Sequence, residues 1–322
     1  MMKNFRIIFL LGLCSLLPIA TASGQETGES LYLKGSDAYG NQDYITAVSY
    51  FLQAAKQHNN TFAQVMLGSC YYQGYGIPQS YEKAVYWYRI AAEQEDDNAL
   101  WLLGSCYASG MGVNQDYVKA VELYHKAAEQ GNELVWHRLG LCYYYGNGTS
   151  QDYEEAVYWF RLAAEKGDNI AQATLGTCYA NGMGINQNYA KAVEWYRKAA
   201  EQGNERAQYD LGYCYHSGNG ISQNYAKAVE WYRKATEHGM PEAQYNLGFC
   251  YSEGHGVSQS YAKAVEWYRK AAEQNIPDAQ YNLGYCYYSG NGISQSYEKA
   301  VYWARLAAAQ GHALAQEWLK QN

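Results

Sequence analysis

The sequence predicts an all-α solenoid built from tandem pairs of helices. Three observations support this fold class: an unbroken repeat, apolar residues at helical spacing in both halves of the repeat, and glycine-rich breaks between the halves. The repeat is marked by a Leu-Gly pair every 36 residues, at Leu67-Gly68, Leu103-Gly104, Leu139-Gly140, Leu175-Gly176, Leu211-Gly212, Leu247-Gly248 and Leu283-Gly284. A fixed period of this length is typical of solenoids, in which each unit buries its apolar face against its neighbours.

The first half of each repeat predicts a helix, called helix A below. In the copy spanning Glu242–Pro277, Ala243, Leu247 and Cys250 fall at i, i+4 and i+7, which is one face of an α-helix. We expect this helix to end at Gly254, because a residue without Cβ readily adopts the left-handed conformation that closes a helix.

The second half predicts a second helix, helix B. Its first turn follows a residue type favoured as an N-cap in every copy, namely Ser80, Asp116, Asp152, Asn188, Asn224, Ser260 and Ser296. Ala264, Trp267 and Ala271 then follow at helical spacing and predict the buried face. Glu266 and Lys270 form an i,i+4 pair, which indicates an outer face in contact with solvent.

The complete repeat reads A-x₃-L-G-x₂-Y-x₂-G-x-G-[IV]-x-Q-x-Y-x₂-A-V-x-W-Y-x₂-A-A and resembles the Sel1-like repeat, a relative of the tetratricopeptide repeat. The resemblance covers essentially everything after residue 30. It implies a right-handed superhelix of antiparallel helix pairs with the A helices on the concave side. It also implies a non-catalytic scaffold or adaptor without a cofactor, which binds bacterial envelope or host proteins.

The N-terminal segment 1–22 has the layout of a secretory signal peptide. Lys3 and Arg6 give a charged start, Ile7–Ala20 is a short apolar run, and the small residues Ala20 and Ala22 offer a cleavage site. The prediction is therefore an exported protein, located in the periplasm or secreted.

Two alternatives to a cleaved signal peptide are weaker. An uncleaved transmembrane anchor requires a longer apolar run, and Pro18 interrupts the one present. A lipoprotein signal around Cys14 is disfavoured because Leu13 precedes the cysteine, where small residues are usual.

The charge balance is acidic. The whole chain has a net charge of −7, and removing Lys3 and Arg6 with the signal leaves 22 basic residues against 31 acidic ones, a net charge of −9. The acidic residues are spread through the repeats and the basic residues form no cluster, which argues against a nucleic-acid partner. No later segment is apolar enough to span a bilayer. We expect the mature chain to be a monomer.

Irregular segments flank the seven regular repeats. The predicted order is a disordered lead-in at 23–30, an N-terminal tetratricopeptide-like repeat at 31–60, seven 36-residue repeats at 61–311, and a capping helix at 312–322. The first repeat is shorter because Gly35 to Ala47 spans 12 residues, against 16 from Gly248 to Ala264. Terminal repeats are expected to be atypical, since one side of each faces solvent.

The chain has eight cysteines, which raises the possibility of disulfides in an exported protein. Cys14 lies in the signal, and the others occupy one repeat position: Cys70, Cys106, Cys142, Cys178, Cys214, Cys250 and Cys286. Packed helices lie roughly 8–10 Å apart, whereas a disulfide requires Cα atoms within about 7 Å. We therefore expect free, buried thiols. A zinc site is disfavoured because there is no CxxC or Cys/His cluster.

Sequence motifs for catalysis have simpler explanations. An S-x-x-K motif typical of serine β-lactamases occurs at Ser80–Lys83, Ser260–Lys263 and Ser296–Lys299. Its serine is the predicted cap of helix B, and the companion S-D-N and K-T-G motifs are absent. The seven histidines occupy different repeat positions, and the G-x-G loops lack the lysine of a phosphate-binding loop. We expect no enzyme, with a β-lactamase-like hydrolase the least favoured alternative.

The candidate binding surface is aromatic. If the resemblance holds, three variable helix-A positions line the concave groove, and in the C-terminal repeats they are occupied by Tyr209, Tyr213, Tyr245, Phe249, Tyr281, Tyr285 and Tyr288. Asp210, Asn246 and Asn282 lie beside them in sequence. Aromatic rings with a polar rim favour protein binding. Two alternatives stay open: a carbohydrate or peptidoglycan ligand, and tyrosine as a general filler in a chain with 36 of them.

Overall fold

A computed structural model describes residues 26–322. All regular secondary structure within that range is helical, as predicted. None of these helices combines the length and the apolar character needed to cross a membrane. The described residues divide into two compact units, an N-terminal unit at 26–80 and a C-terminal unit at 81–322. The predicted signal peptide, residues 1–22, lies outside the described range.

The N-terminal unit contains three helices: α1 (Gly28–Gly40), α2 (Tyr44–His58) and α3 (Thr61–Gln73). Helix α1 begins earlier than the sequence analysis predicted, because the Thr27 hydroxyl accepts a hydrogen bond from the Ser30 backbone N–H at 3.1 Å. Residues 28–30 are therefore helical, and the prediction of a disordered segment reaching residue 30 is wrong.

The C-terminal unit contains fourteen α-helices, and each packs against the next along the chain. They are α4 (Tyr81–Ala92), α5 (Asp97–Ser109), α6 (Tyr117–Glu129), α7 (Trp136–Tyr145), α8 (Tyr153–Glu165), α9 (Asn169–Asn181), α10 (Tyr189–Glu201), α11 (Glu205–Ser217), α12 (Tyr225–Glu237), α13 (Pro241–Glu253), α14 (Tyr261–Glu273), α15 (Pro277–Ser289), α16 (Tyr297–Ala309) and α17 (Ala313–Gln321). A 3-10 turn at Glu133–Val135 precedes α7. Helices α5 to α16 alternate as A and B helices, and α17 occupies the segment predicted to cap the array.

The predicted helix ends are confirmed. The Asp116 side chain accepts a hydrogen bond from the Lys119 backbone N–H at 3.1 Å and caps α6. Equivalent capping residues begin the later B helices: Asp152, Asn188, Asn224, Ser260 and Ser296. At the other end of helix A, Gly254 closes α13 with φ +75°, the left-handed conformation that favours glycine.

An aromatic ring of helix B lies directly on the glycine of helix A. A Cβ added to Gly248 would come within 2.8 Å of Cδ1 of Tyr268, which is closer than van der Waals contact. The same contact joins Gly104 to Tyr124, Gly140 to Phe160, Gly176 to Tyr196, and Gly212 to Tyr232. The preceding Leu247 is fully buried beside this contact. The Leu-Gly pair therefore gives a filled core and a close approach between the two helices.

The second glycine of each loop brings successive repeats together. Gly256 has φ +71°, and a Cβ there would lie 2.4 Å from the carbonyl oxygen of Tyr225 in the first turn of α12. The loop backbone thus rests on the backbone of the preceding helix B, and only glycine can occupy this position without displacing it.

Buried glutamines connect the helix pairs by hydrogen bonds. Gln172 donates from Nε2 to the Ala164 carbonyl at 3.0 Å, and its Oε1 accepts from Gln202 at 2.8 Å. Gln280 forms the same pair of bonds in a later repeat, with Ala272 and Gln310. These side chains satisfy each other in the interior and cover a carbonyl at the end of helix B.

The outer face of helix B is exposed to solvent at Glu266 and Lys270, as predicted, but the two side chains do not pair within the described chain. Instead, Nζ of Lys270 lies 4.1 Å from the centroid of the Trp267 ring. The same contact is made by Lys198 with Trp195 and by Lys234 with Trp231. The lysine stem packs on the indole, and an exposed carboxylate offers too little free energy to hold it elsewhere.

The seven repeat cysteines are free and buried, as predicted. Burial raises the pKa of the Cys250 thiol to about 12, because the interior disfavours the thiolate. The thiols therefore act as small apolar side chains in the core.

The ring-on-glycine contact can be tested with a matched pair of variants. Gly248→Ala places a methyl group against the Tyr268 ring, and such overpacking typically costs about 1–3 kcal/mol. Gly284→Ala faces no ring, since Ala304 replaces the aromatic residue, and the nearest atoms are the Ala300 carbonyl oxygen at 3.1 Å and Cβ of Trp303 at 3.3 Å. Thermal melting followed by circular dichroism should show a larger loss for Gly248→Ala than for Gly284→Ala. Equal losses would contradict this account of the core.

Candidate functional site

The predicted groove aromatics lie on α11, α13 and α15 and divide into two groups. Tyr213, Tyr285 and Tyr288 are exposed, with 49%, 51% and 38% of their surface accessible. The other four are half-buried and contribute to packing as well as surface: Tyr209, Tyr245, Phe249 and Tyr281. The exposed rings are therefore the ones available for a partner without rearrangement of the core.

The half-buried tyrosines are held by neighbouring side chains. The hydroxyl of Tyr209 accepts a hydrogen bond from Nδ2 of Asn246 at 3.3 Å. The Tyr245 ring instead packs on the core, with its centroid 6.0 Å from that of Tyr268. Burial raises the pKa of both phenols, so these side chains stay neutral near pH 7. Asn246, which we expected to offer a polar group to a ligand, thus also joins adjacent repeats.

A charged pair lies beside the first of these tyrosines. Nε of Arg206 donates to Oδ2 of Asp210 at 3.1 Å, and the guanidinium carbon is 5.5 Å from the Tyr209 ring centroid. Burial raises the pKa of the Asp210 carboxyl, and the nearby Arg206 opposes that rise. Asp210 occupies the register position of Asn246 and Asn282, so this repeat alone among the three has a carboxylate there.

Phe249 belongs to a cluster with two histidines. Its ring centroid lies 6.1 Å from that of His216 and 5.9 Å from that of His255. His255 also stacks on Tyr225, with centroids 4.2 Å apart and planes inclined by 12°. Nε2 of His216 and Nδ1 of His255 are buried without a hydrogen-bond partner. Burial and the neighbouring His255 lower the pKa of His216.

Sequence reasoning missed this histidine cluster, although a signal was present. His216 ends helix A of one repeat, and His255 occupies the G-x-G loop of the next. The same two register positions meet elsewhere, because the Tyr144 hydroxyl lies 3.3 Å from Sδ of Met183. Comparing the two positions between consecutive repeats, instead of treating each histidine alone, identifies the contact.

The last repeat packs against the terminal helix. The ring of Tyr281 stacks on His312, with centroids 4.8 Å apart, and Nε2 of His312 lies 3.4 Å from Oδ1 of Asp278. Tyr288 meets Trp318 edge to face at 5.3 Å. Tyr281 is therefore partly covered by α17 and its N-cap, whereas Tyr288 keeps an exposed edge.

The described residues contain no arrangement suited to a metal, since no three His, Cys, Asp or Glu side chains in 26–322 are placed to share an ion. The serine and lysine of the S-x-x-K motif have structural roles, as the copy at Ser260–Lys263 shows. The Ser260 hydroxyl accepts from the backbone N–H of Lys263 at 3.4 Å, and Nζ of Lys263 lies 5.4 Å from the Tyr251 ring centroid. In this repeat the serine caps a helix and the lysine packs on an aromatic ring.

Comparisons with known proteins agree with this architecture. A family model described as Sel1 repeat matches residues 26–59, 61–96, 97–132, 137–168, 169–204, 205–240, 241–276 and 277–312. The interruption before residue 137 coincides with the 3-10 turn that precedes α7. No curated protein matches the chain.

Two solved structures are similar over most of the chain. One is a protective antigen of uropathogenic Escherichia coli with a Sel1-like repeat fold, at 35% identity and a TM-score of 0.83, covering 90% of this chain and 63% of that one. The other is a Sel1 repeat protein from Oxalobacter formigenes, at 33% identity and a TM-score of 0.69, covering 91% of this chain and 86% of that one. The chain thus spans less than two thirds of the length of the E. coli antigen.

The histidines predict a pH dependence of stability. Burial lowers the pKa of both His137 and His216 in the folded state, so the unfolded chain binds more protons as the pH falls through about 6.5. Stability should therefore decrease from pH 7.5 to pH 5.5. His216→Tyr, which introduces the residue found at the equivalent Tyr144, should show a smaller decrease in melting temperature over that range. An unchanged pH profile in the variant would show that His216 is not buried in its neutral form.

Proposed function

The chain belongs to the Sel1 repeat family, and we propose that it is an exported, non-catalytic scaffold of the bacterial envelope whose helix-A aromatics bind a partner protein. Proteins of this repeat class generally act as interaction scaffolds. The proposed export rests on the charged start, apolar run and small-residue site of segment 1–22.

The observation that carries the proposal is the exposure of Tyr213, Tyr285 and Tyr288 at helix-A positions that vary between repeats. The neighbouring leucine of the Leu-Gly pair is buried in these repeats, so the variable positions are where one member of the family can differ from another. A tyrosine offers a large contact area at a low entropic cost, which is why it is enriched in interface hot spots.

The half-buried aromatics lie on the same three helices as the exposed ones and are held in place. Tyr209 is hydrogen-bonded by Asn246 of the following repeat. The Tyr245 ring packs on Tyr268, and Phe249 lies between two histidines. A partner would therefore meet a surface whose supporting rings are already ordered, and preorganisation of this kind reduces the entropic cost of binding. The Arg206–Asp210 pair adds a charged group at the edge of the same surface.

Exposed tyrosines are not confined to helix A, which makes a matched control possible. Tyr158 and Tyr302 on helix B are 53% and 56% exposed, as much as Tyr213 and Tyr285. They lie at the register position of Glu266, on the outer face of helix B. Both sets can be truncated without removing a buried side chain, so any difference in binding reflects location.

The proposal predicts a loss of binding on one face only. The double variant Tyr213→Ala and Tyr285→Ala should reduce capture of envelope proteins from the native host at least about tenfold, because truncating an interface hot spot often costs about 2 kcal/mol. The double variant Tyr158→Ala and Tyr302→Ala should bind like the unmodified chain. Capture is measured by quantitative mass spectrometry of proteins retained by the tagged mature chain, alongside the melting temperature of each variant.

Two results would contradict the proposal: equal capture by both double variants, or a loss that parallels a fall in melting temperature. Aromatic rings also stack on sugars, so a carbohydrate-binding function makes a different prediction. In that case isolated peptidoglycan would co-sediment with the unmodified chain and not with the Tyr213→Ala, Tyr285→Ala variant.

A further inference from the structure

A cavity of about 450 Å³ opens between α4, α5 and α6, away from the helix-A aromatics described above. Its floor is formed by Leu100, Leu103 and Leu123, and exposed charged side chains, among them Glu93 and Lys126, form its rim. The volume is within the range of about 300–1,000 Å³ that is usual for ligand-binding pockets.

The cavity forms where the repeat departs from its own pattern. Leu123 occupies a position that is tryptophan in the other repeats, namely Trp87, Trp159, Trp195, Trp231, Trp267 and Trp303. Leu100 occupies the position of the buried glutamines Gln172 and Gln280. Two residues that fill the space between helix pairs elsewhere are thus replaced by leucines at this one place.

The second replacement also removes one hydrogen bond from each of two polar groups, although the Ala92 carbonyl still accepts from the Glu95 backbone N–H at 3.0 Å. Gln172 donates to the Ala164 carbonyl and accepts from Gln202. The equivalent groups here are the Ala92 carbonyl and the Gln130 amide, and the apolar Leu100 side chain can hydrogen-bond to neither of them. Ala92 and Gln130 both line the cavity. A ligand in this space therefore finds a carbonyl acceptor and a carboxamide beside an apolar floor.

The rim carries three carboxylates and two cations, Lys126 and Arg89, and Nη2 of Arg89 donates to the Tyr107 hydroxyl at 3.4 Å. Within residues 26–322 the carboxylates of Glu93, Glu95 and Glu129 take part in no ion pair, and all three line the cavity. Lys126 is the counterpart of Lys198, whose Nζ lies 4.1 Å from the Trp195 ring. Since Leu123 replaces that tryptophan, Lys126 has no ring beneath it.

From these observations we infer that the cavity binds an aromatic side chain of a partner protein, in a segment where lysine or arginine flanks the aromatic residue. The ring occupies the space that tryptophan fills in the other repeats and lies under Lys126, restoring the missing cation–π contact. The flanking cations pair with the glutamates of the rim, and a backbone N–H of the segment donates to the Ala92 carbonyl.

This binding site is independent of the proposed partner surface, because none of the helix-A aromatics belongs to it. It is tested by methyl NMR of the leucine-labelled mature chain, titrated with N-acetyl-Gly-Lys-Trp-Lys-Gly amide. The Leu100, Leu103 and Leu123 methyl signals should shift and saturate. A peptide with alanine in place of tryptophan, or glutamate in place of both lysines, should bind at least about tenfold more weakly.

Two variants restore the residues of the other repeats. Leu123→Trp fills the cavity and should weaken binding of the Lys-Trp-Lys peptide at least about tenfold. Leu100→Gln should also weaken binding at least about tenfold, because the new side chain pairs with Gln130. This second variant keeps the test decisive if circular dichroism shows that Leu123→Trp does not fold. As a charge control, Glu93→Gln with Glu129→Gln should weaken binding, whereas Glu165→Gln with Glu201→Gln, at the same register positions two repeats later, should not.

The inference is overturned by any of three results. The first is the absence of a saturable shift of the leucine methyls with the Lys-Trp-Lys peptide. The second is equally tight binding of the peptide with alanine, which would mean that charge alone attracts it. The third is full affinity in folded Leu123→Trp and Leu100→Gln variants, which would place binding outside the cavity.

Discussion

The fold depends on one contact that recurs between paired helices, the aromatic ring of helix B lying on the glycine of helix A. Tyr268 on Gly248 shows why: a single methyl group on the glycine would lie within 2.8 Å of the ring. Because the glycine has no side chain, the ring can fill the space between the helices. Each repeat then completes its own core, and the second loop glycine and the buried glutamines connect it to its neighbour.

This local design explains how much of the fold could be predicted from the sequence. The caps at Asp116 and Gly254 followed from residue type, because hydrogen bonds within one turn determine helix ends. The contact made by Lys270 could not be predicted in this way. Spacing along the helix favours an ion pair with Glu266, whereas the lysine packs on the Trp267 ring. The start of α1 at Gly28 was missed because the first repeat departs from the regular pattern and only the Thr27 cap marks where its first helix begins.

The candidate site was only partly predictable for the same reason. The register identified Tyr213 and Tyr209 as candidate surface positions, but only the three-dimensional contacts distinguish an exposed ring from one held by the next repeat. Contacts between consecutive repeats, such as His216 with His255, depend on pairs of positions 39 residues apart. The cavity beside Leu123 likewise required knowledge of what tryptophan fills elsewhere, since a leucine in a helix is unremarkable by itself.

The central claim is that the core positions build the array and the exposed helix-A aromatics bind the partner. Photocrosslinking in the native host tests it most directly, with p-benzoylphenylalanine in place of Tyr213 or Tyr285 and, as the control, in place of Tyr158 or Tyr302. The account predicts that both helix-A positions crosslink to the same protein, identified by mass spectrometry, and that the helix-B positions do not. Equal crosslinking from both faces, or crosslinking from helix B alone, would contradict it.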